Sequence, residues 1–270
     1  MSHKFSVVQL LGYKLPLPTF WFGATFYAIT SYQDKCYVVN YINDASLLHI
    51  VDPFTFSQTS HQLPPPIKSV HNIYIDSDYV LLAGFRSESL YLLDHKYNLL
   101  ATIPVPGSQP IDCAIVDNTI VYIDYLNGSL LQVDFPSFPA ININYAFDPV
   151  CSFTRLLLQP THTTHQPHSF CIIDSTYVIL YKYPSPSLLF FDITTSTNYR
   201  LDPNEDWFSI SPMLNGDILL VSNTSGLHVF STDTFSVYPL FLHPYFTNAI
   251  SFDKHILAIF EFGPFLCRLD

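Results

Sequence analysis

The chain has 270 residues, of which 49% are hydrophobic, 16% aromatic and 12% charged, and its formal net charge is −11. This composition excludes the disordered class, whose chains combine many charges with few aromatic residues. Because only 11 residues are Lys or Arg and no basic run occurs, direct binding to nucleic acid or to an anionic membrane surface is not expected.

The N-terminal segment, MSHKFSVVQLLGYKLPLP, holds a short apolar stretch that Lys14, Pro16 and Pro18 interrupt. It has no small-residue cleavage site of the kind that ends a signal peptide, and the following FWFGATFYAIT is too short to span a bilayer. The five cysteines are scattered and form no CxxC pair, which is typical of reduced thiols. We therefore expect an intracellular, cytoplasmic protein without a membrane span.

Short strands separated by turn residues recur along the chain. The third strand of each repeat ends in an apolar residue followed by Asp or, once, by Ser. A period of about 40 residues with four short strands is typical of a β-propeller blade. The repeats cover residues 26–64, 73–106, 111–147, 168–203, 206–244 and 246–270.

The last repeat ends at FLCRLD, where its fourth strand should follow, and the chain begins with MSHKF. Joined, these ends match YLLDHKY of the second repeat, so the N-terminal strand is expected to complete the last blade. The sequence thus predicts one all-β domain over residues 1–270, a six-bladed β-propeller, with a seven-bladed propeller or a β-sandwich as alternatives. Residues 148–167 fit no repeat and are predicted to be a loop inserted between the third and fourth blades.

Residues 91–110, YLLDHKYNLLATIPVPGSQP, resemble the YVTN-type propeller repeat, a relative of the WD-repeat families. The shared features are the apolar-Asp step, an Asn before the fourth strand, ATIPV and a Gly- and Pro-containing loop. TIVYID at 119–124 lies where that family has its namesake strand, and the match covers about one and a half repeats. The resemblance implies the fold and carries no catalytic residues.

The loops from a fourth strand to the next first strand all contain proline, which fixes φ and stiffens the chain. Several also carry aromatic residues, a composition typical of a protein- or peptide-docking surface. The alternative is that these rings fold inward and fill a central channel. The candidate docking residues are Phe20, Trp21, Phe22, Trp207, Tyr245 and Phe246.

Two polar clusters have weaker claims to function. Asp202, Glu205 and Asp206 form an acidic loop that is a candidate for binding a cation or a basic peptide, although a solvated loop is the simpler interpretation. His162, His165 and His168 are spaced for a transition metal, but a structural site normally needs a fourth ligand, so neither metal nor cofactor is expected.

No nucleophile, phosphate-loop or metalloprotease motif occurs in the sequence. The sequence therefore predicts a non-catalytic protein–protein interaction scaffold, a subunit of a larger assembly. One alternative is a metal-dependent, lactonase-like hydrolase with its site at the channel mouth. Another is a surface or virion ligand-binding propeller, in which the glycosylation triplets at Asn127 and Asn223 would be used.

Overall fold

The computed structural model shows an all-β chain whose regular elements, in the part of the chain that it describes, are the strands β1 to β24. Within this part, no helix is long and apolar enough to cross a membrane. The described residues are 7–11, 25–42, 45–52, 55, 57–126, 129–135, 154–158, 166–173, 176–183, 187–192, 197–201, 207–213, 215–222, 224–242, 246–252, 255–260 and 263–269.

The strands pair antiparallel into four-stranded sheets, and the chain divides into two compact units. The first unit, residues 24–51 and 57–167, contains three of these sheets. Sheet 1 consists of β2 Thr25–Tyr32, β3 Lys35–Ile42, β4 Ala45–Val51 and β5 Gln58–Gln62. Sheet 2 consists of β6 Val70–Ile75, β7 Val80–Gly84, β8 Ser89–Leu93 and β9 Leu99–Pro104. Sheet 3 consists of β10 Pro110–Val116, β11 Thr119–Asp124, β12 Ser129–Asp134 and β13 Thr154–Leu158.

The second unit, residues 1–23, 52–56 and 168–270, contains the other three sheets apart from the first residues of β14. Sheet 4 consists of β14 Gln166–Ile173, β15 Thr176–Tyr183, β16 Ser187–Asp192 and β17 Thr197–Leu201. Sheet 5 consists of β18 Trp207–Pro212, β19 Ile218–Ser222, β20 Gly226–Ser231 and β21 Ser236–Phe241. Sheet 6 consists of β22 Phe246–Phe252, β23 His255–Phe260, β24 Gly263–Leu269 and β1 Val7–Leu11.

The core of the first unit lies between neighbouring sheets, and successive residues of one strand serve different cores. On β7, Val80 and Leu82 pack with Val39 and Leu48 of sheet 1. The intervening Leu81 packs instead against sheet 3, in the cluster that contains Tyr122. Since side chains alternate across a strand, a strand between two sheets must be apolar at every position. This explains why β7 and β8 are buried throughout and, apart from Ser89 at the start of β8, carry no small polar or charged residue, whereas the outer strand β5, QTSHQ, is largely exposed.

Aspartates close the turns. Asp94, which follows β8, accepts the backbone N–H groups of Lys96 (2.8 Å) and Asn98 (2.9 Å) at one carboxylate oxygen. Asp76, which follows β6, accepts the N–H groups of Asp78 and Tyr79, both at 2.8 Å. The backbone N–H groups of a turn have no neighbouring strand to bond, and the aspartate carboxylate accepts them instead. This explains why an Asp follows the apolar residues at the end of the third strand.

The expected role of the N-terminal strand is confirmed. β1 pairs antiparallel with β24, in the register Val7 with Leu269, Leu10 with Cys267 and Leu11 with Leu266. The two termini of the chain therefore form one sheet, and β1 covers the edge that β24 would otherwise leave open.

The predicted blade count of six, or of seven in the alternative, needs correction. What recurs in the described residues is a sheet of four strands. These sheets are divided between two compact units. Periodicity locates strands and hairpins, whose partners lie close in sequence. It does not report which sheets pack into one compact body, because side-chain packing between sheets decides that. The single-domain assignment of residues 1–270 stays a prediction.

The predicted inserted loop at 148–167 is also wrong in part. Residues 154–158 of that segment form β13, the fourth strand of sheet 3, with Leu131 opposite Leu156 and Gln132 opposite Arg155. The predicted third repeat, residues 111–147, instead ended before this segment and so placed its fourth strand earlier in the chain. An outer strand is held mainly by backbone hydrogen bonds, which many different sequences can form. Strand composition therefore does not identify which segment takes that place.

We expect removal of residues 1–11 to lower the free energy of unfolding by about 2–4 kcal/mol, because it deletes a whole strand of sheet 6 and exposes the edge of β24. Urea denaturation and size-exclusion chromatography would measure the loss and the accompanying aggregation. Removal of residues 1–6 alone leaves β1 complete and is the control. Equal stability of both truncated chains would contradict the pairing.

Candidate functional site

Each sheet presents two ends. The turns between second and third strands lie at the same end as the connections from one sheet to the next, since consecutive strands run antiparallel. Backbone hydrogen bonds join these two kinds of loop, from Phe85 N–H to the Ser69 carbonyl and from Tyr125 N–H to the Gln109 carbonyl, both at 3.0 Å. We call this the connection end and the opposite one the hairpin end. Loops at the ends of rigid strands are where binding groups are usually placed.

A β-bulge recurs near the start of the first strands. The register shifts between Val70 and Asn72 in β6 and between Pro110 and Asp112 in β10, so His71 and Ile111 are the extra residues. Equivalent shifts occur in β2, β18 and β22. A bulged residue leaves the regular ladder, which releases its backbone groups and redirects its side chain.

The bulges of β6 and β10 are joined by a side chain. The His71 Nδ1 atom lies 3.1 Å from the Ile111 carbonyl oxygen, which can only accept, so Nδ1 carries the proton. Burial lowers the pKa of His71, and the hydrogen bond to Ile111 opposes that effect in part. His71 is thus a neutral donor that fixes the first strands of sheets 2 and 3 at the connection end.

Aromatic rings cover this junction. The ring of Phe85 lies 5.7 Å from that of His71, and the ring of Tyr125 meets Phe85 edge-on at 5.7 Å and 67°. Phe85 and Tyr125 occupy the same position in their repeats, directly after the second strand. Leu126, the next residue, is 60% exposed. We call His71, Phe85, Tyr125 and Leu126 the connection-end patch.

The turn that carries Phe85 is rigid. A Cβ atom on Gly84 would come within 2.7 Å of the Tyr91 ring, so glycine is required for this close approach. The Ser87 hydroxyl donates to the Gly84 carbonyl (3.0 Å), and the Ser89 hydroxyl donates to the Ser87 carbonyl (2.9 Å). The position of Phe85 is therefore fixed before any partner binds.

A buried carboxylate organises the other half of the patch. Asp124 is completely buried, and one of its oxygens accepts the N–H groups of Gln109 (2.8 Å) and Leu126 (3.1 Å). Charge-assisted bonds of this kind are stronger than bonds between neutral groups. Asp124 therefore holds the turn of Leu126 against the connection that precedes β10.

The proline-rich connection between sheets 1 and 2 is ordered in the same way. The Tyr91 hydroxyl donates to the Pro66 carbonyl (2.9 Å), and the Ser46 hydroxyl donates to the Ile67 carbonyl (3.0 Å). Ile67 N–H closes a turn onto the Pro64 carbonyl at 2.9 Å. The connection end of the first unit is thus a preorganised surface.

Trp207, a predicted docking residue, is completely buried, so its assignment to a docking surface is wrong. It begins β18 and packs with Leu188, Ile210 and Phe230 in a core between sheets 4 and 5. Its indole Nε1 has no hydrogen-bond partner among the residues that the structure describes. Sequence reasoning placed Trp207 in the loop because proline and acidic residues precede it, whereas its large apolar surface decides its burial.

The imidazole of His228 lies against Trp207, with ring centroids 4.8 Å apart and planes at 78°. Its Nε2 atom is 2.9 Å from the Ser225 hydroxyl. His49 of sheet 1 has the equivalent position, three residues before the end of the apolar-Asp step. The sequence did not lead us to predict a buried histidine at this position. Its constant spacing of three residues before Asp52 or Ser231 could have indicated it.

The bonds of His49 define its protonation. The single lone pair of its Nδ1 atom is shared by the Ser60 hydroxyl (2.8 Å) and the Gln58 amide (3.0 Å), and its Nε2 atom donates to the Asn40 carbonyl oxygen (3.1 Å). A neutral imidazole satisfies all three contacts. Burial lowers the pKa of His49 accordingly, because desolvation disfavours the imidazolium form.

The other predicted site residues cannot be placed in this way. Phe20, Trp21, Phe22, Tyr245, Asp202, Glu205, Asp206, His162 and His165 lie outside the described residues. Phe246 begins β22, and His168 lies in β14. In the portion of the chain that the structure describes, no three His, Cys, Asp or Glu side chains cluster as metal ligands would.

Comparison with solved structures settles the fold class. Virginiamycin B lyase from Staphylococcus aureus superposes with a TM-score of 0.63 at 12% identity, over 90% of this chain and 94% of that one. A streptogramin B lyase gives 0.62 at 14% identity, over 91% and 93% of the two chains. The fold is a β-propeller. This excludes the predicted β-sandwich alternative, and identities this low establish the fold alone.

A third similar structure is BBS1N in complex with ARL6DN, with a TM-score of 0.60 at 13% identity, over 91% of this chain and 78% of that one. No protein-family model matches the sequence, and no curated protein matches it. The propeller similarity is therefore carried by backbone structure rather than by shared motifs.

We expect Trp207→Ala to lower the free energy of unfolding by about 3–5 kcal/mol, because it empties a buried space the size of an indole. Trp207→Phe should cost less than about 2 kcal/mol, since it retains an aromatic ring and removes an N–H that has no described partner. Urea denaturation of both variants measures the difference. Unchanged stability of Trp207→Ala would show that the residue is at the surface.

The stability of the protein should fall with decreasing pH below about 6.5, the ordinary histidine pKa. The folded-state pKa of His49 is lowered, so the unfolded chain takes up its proton first and stability is complete only above that range. His49→Gln should flatten the dependence of unfolding free energy on pH by at most about 1.4 kcal/mol per pH unit. The pKa of His71 is also lowered, so His71 still contributes to the pH dependence of stability in this variant. Parallel pH profiles for both proteins would refute the assignment.

Proposed function

We propose that this β-propeller is a non-catalytic docking platform for other proteins, a subunit of a larger intracellular assembly, and that it binds through the connection-end patch. The observation that carries the proposal is an apolar and aromatic group on loops that are already fixed by hydrogen bonds, in which Leu126 is exposed and Phe85 and Tyr125 are half-buried. Tyr and Phe are enriched in the buried centres of protein interfaces.

Rigidity and exposure together favour docking over a purely structural role. Binding costs free energy for every side chain or loop that it must order, and a preorganised surface avoids much of that cost. The bonds from Asp124 to Leu126 and within the Ser87 turn remove this ordering step. Full burial of one leucine side chain contributes about 1.5–3 kcal/mol, so covering Leu126 would add favourable free energy to binding.

Two further features support parts of the proposal. The similar BBS1N structure is a complex with ARL6DN, so at least one protein of similar fold is found with a protein partner. Cys113 is buried and is not part of a disulfide bond, which supports an intracellular location. The resemblance of residues 91–110 to the YVTN-type repeat agrees with this role but does not specify a partner.

The catalytic alternative rests on fold similarity to two lyases at 12% and 14% identity. A propeller fold hosts many unrelated functions, so this similarity does not transfer an activity. Among the described residues the lactonase-like arrangement of converging metal ligands has no counterpart.

The proposal is tested by placing a photoreactive benzoylphenylalanine at position 126 of the purified protein and irradiating it in an extract of its native cells. Leu126 should give a discrete crosslinked partner, and Phe85→Ala in the same chain should reduce the yield at least tenfold. Because Phe85 is half-buried against His71 and Tyr125, its removal should lower the unfolding free energy by about 1–2 kcal/mol, and urea denaturation must show that the variant is folded under the conditions of the test.

The matched control carries the same probe at Leu100, an exposed leucine of the outer strand β9 in the same unit. Equal crosslinking from positions 100 and 126, or a yield that Phe85→Ala leaves unchanged, would refute docking at the connection end.

A further inference from the structure

The two ends of the first unit differ in the charges that they expose. At the hairpin end, the described turns carry Asp34, Asp76, Asp78, Asp94 and Asp117, together with Lys35 and Lys96. At the connection end, Asp112 and Asp124 are buried, and the exposed charges among the described residues are those of Lys68, Arg86 and Glu88. Although the whole chain is acidic, the exposed charges of the described residues at this end are two basic and one acidic.

Lys68 and Arg86 lie beside the connection-end patch. Arg86 follows Phe85 in the chain, and Lys68 precedes Ser69, whose carbonyl accepts the Phe85 N–H at 3.0 Å. Their backbones are therefore neighbours across one hydrogen bond. Neither side chain has an ion-pair or hydrogen-bond partner among the residues that the structure describes. The exposed Glu88 carboxylate instead accepts the Gly107 N–H at 3.0 Å, which ties it to the connection before β10.

We propose that the partner at the connection-end patch presents an acidic peptide segment with an apolar side chain, and this inference rests on the docking function proposed above. The apolar side chain packs on Phe85, Tyr125 and Leu126, and the carboxylates pair with Arg86 and Lys68. The guanidinium group can hold a carboxylate through two parallel bonds, which fixes the orientation of the peptide as well as its charge.

The net charge of −11 opposes an acidic partner at long range but does not decide the contact. At physiological ionic strength, charges separated by more than about 8 Å in solvent are largely screened. The carboxylates of the hairpin end lie at the far ends of strands of five to seven residues, each residue rising about 3.3 Å, which is well beyond that distance. The field that a docked peptide meets is therefore set mainly by Lys68, Arg86 and Glu88, whose formal charges sum to +1.

The test is selection of a phage-displayed random 12-residue peptide library on the folded full-length protein, followed by affinity measurement for the enriched peptides. We expect enrichment of Asp or Glu within a few positions of an aromatic or aliphatic residue. The double variant Lys68→Glu/Arg86→Glu should weaken binding of those peptides at least tenfold. Lys35→Glu/Lys96→Glu makes the same change in net charge at the hairpin end and should leave affinity within about twofold.

The outcomes separate this inference from the function on which it rests. Peptides that lose affinity in Phe85→Ala but are neutral or basic, or that ignore the Lys68/Arg86 reversal, would overturn the acidic partner while keeping the docking surface. Enriched peptides whose affinity is unchanged in Phe85→Ala would overturn both. A single-stranded RNA oligonucleotide that binds the wild type and competes with the selected peptides would assign the two cations to phosphate and overturn the peptide class.

Discussion

Burial of both faces of a sheet is the constraint on which the rest of this structure depends. On β7, Val80 and Leu82 face one neighbouring sheet while Leu81 faces the other, and none of the three is accessible to solvent beyond 1%. With every position of such a strand committed to packing, polar and exposed groups are confined to the outer strands and to the ends of the sheets. The groups that are accessible to a partner therefore lie on the outer strands and where the strands end.

The first-strand bulges connect that packed interior to the surface. A regular ladder would occupy the Ile111 carbonyl, whereas the bulge leaves it able to accept the His71 ring N–H. The same bond brings His71 beneath Phe85, and Phe85 in turn supports Tyr125. The geometry of the underlying strands thus determines the shape and position of the connection-end patch. The patch is therefore preorganised.

Buried polar side chains are individually satisfied by short local networks rather than by a shared centre. His49 is bonded to Asn40, Gln58 and Ser60 across three strands of one sheet. His228 is bonded to Ser225 of the adjoining turn and lies against Trp207. His49 and His228 have the same position in their repeats, and each forms its hydrogen bonds within its own sheet and turn. In sheet 2 this position is occupied by Tyr91, whose hydroxyl donates to the Pro66 carbonyl.

The sequence by itself determined the strands, their hairpin order, the Asp-closed turns and the pairing of the two chain ends, because each depends on contacts between neighbours in the repeat. It did not determine that Thr154–Leu158 is the outer strand of sheet 3, that Trp207 is buried, or that the sheets group in two compact units. The candidate site was predicted only as a type, aromatic residues on stiff loops at the connection end. Its members, His71, Phe85, Tyr125 and Leu126, were decided by packing between sheets, which a repeat pattern cannot report.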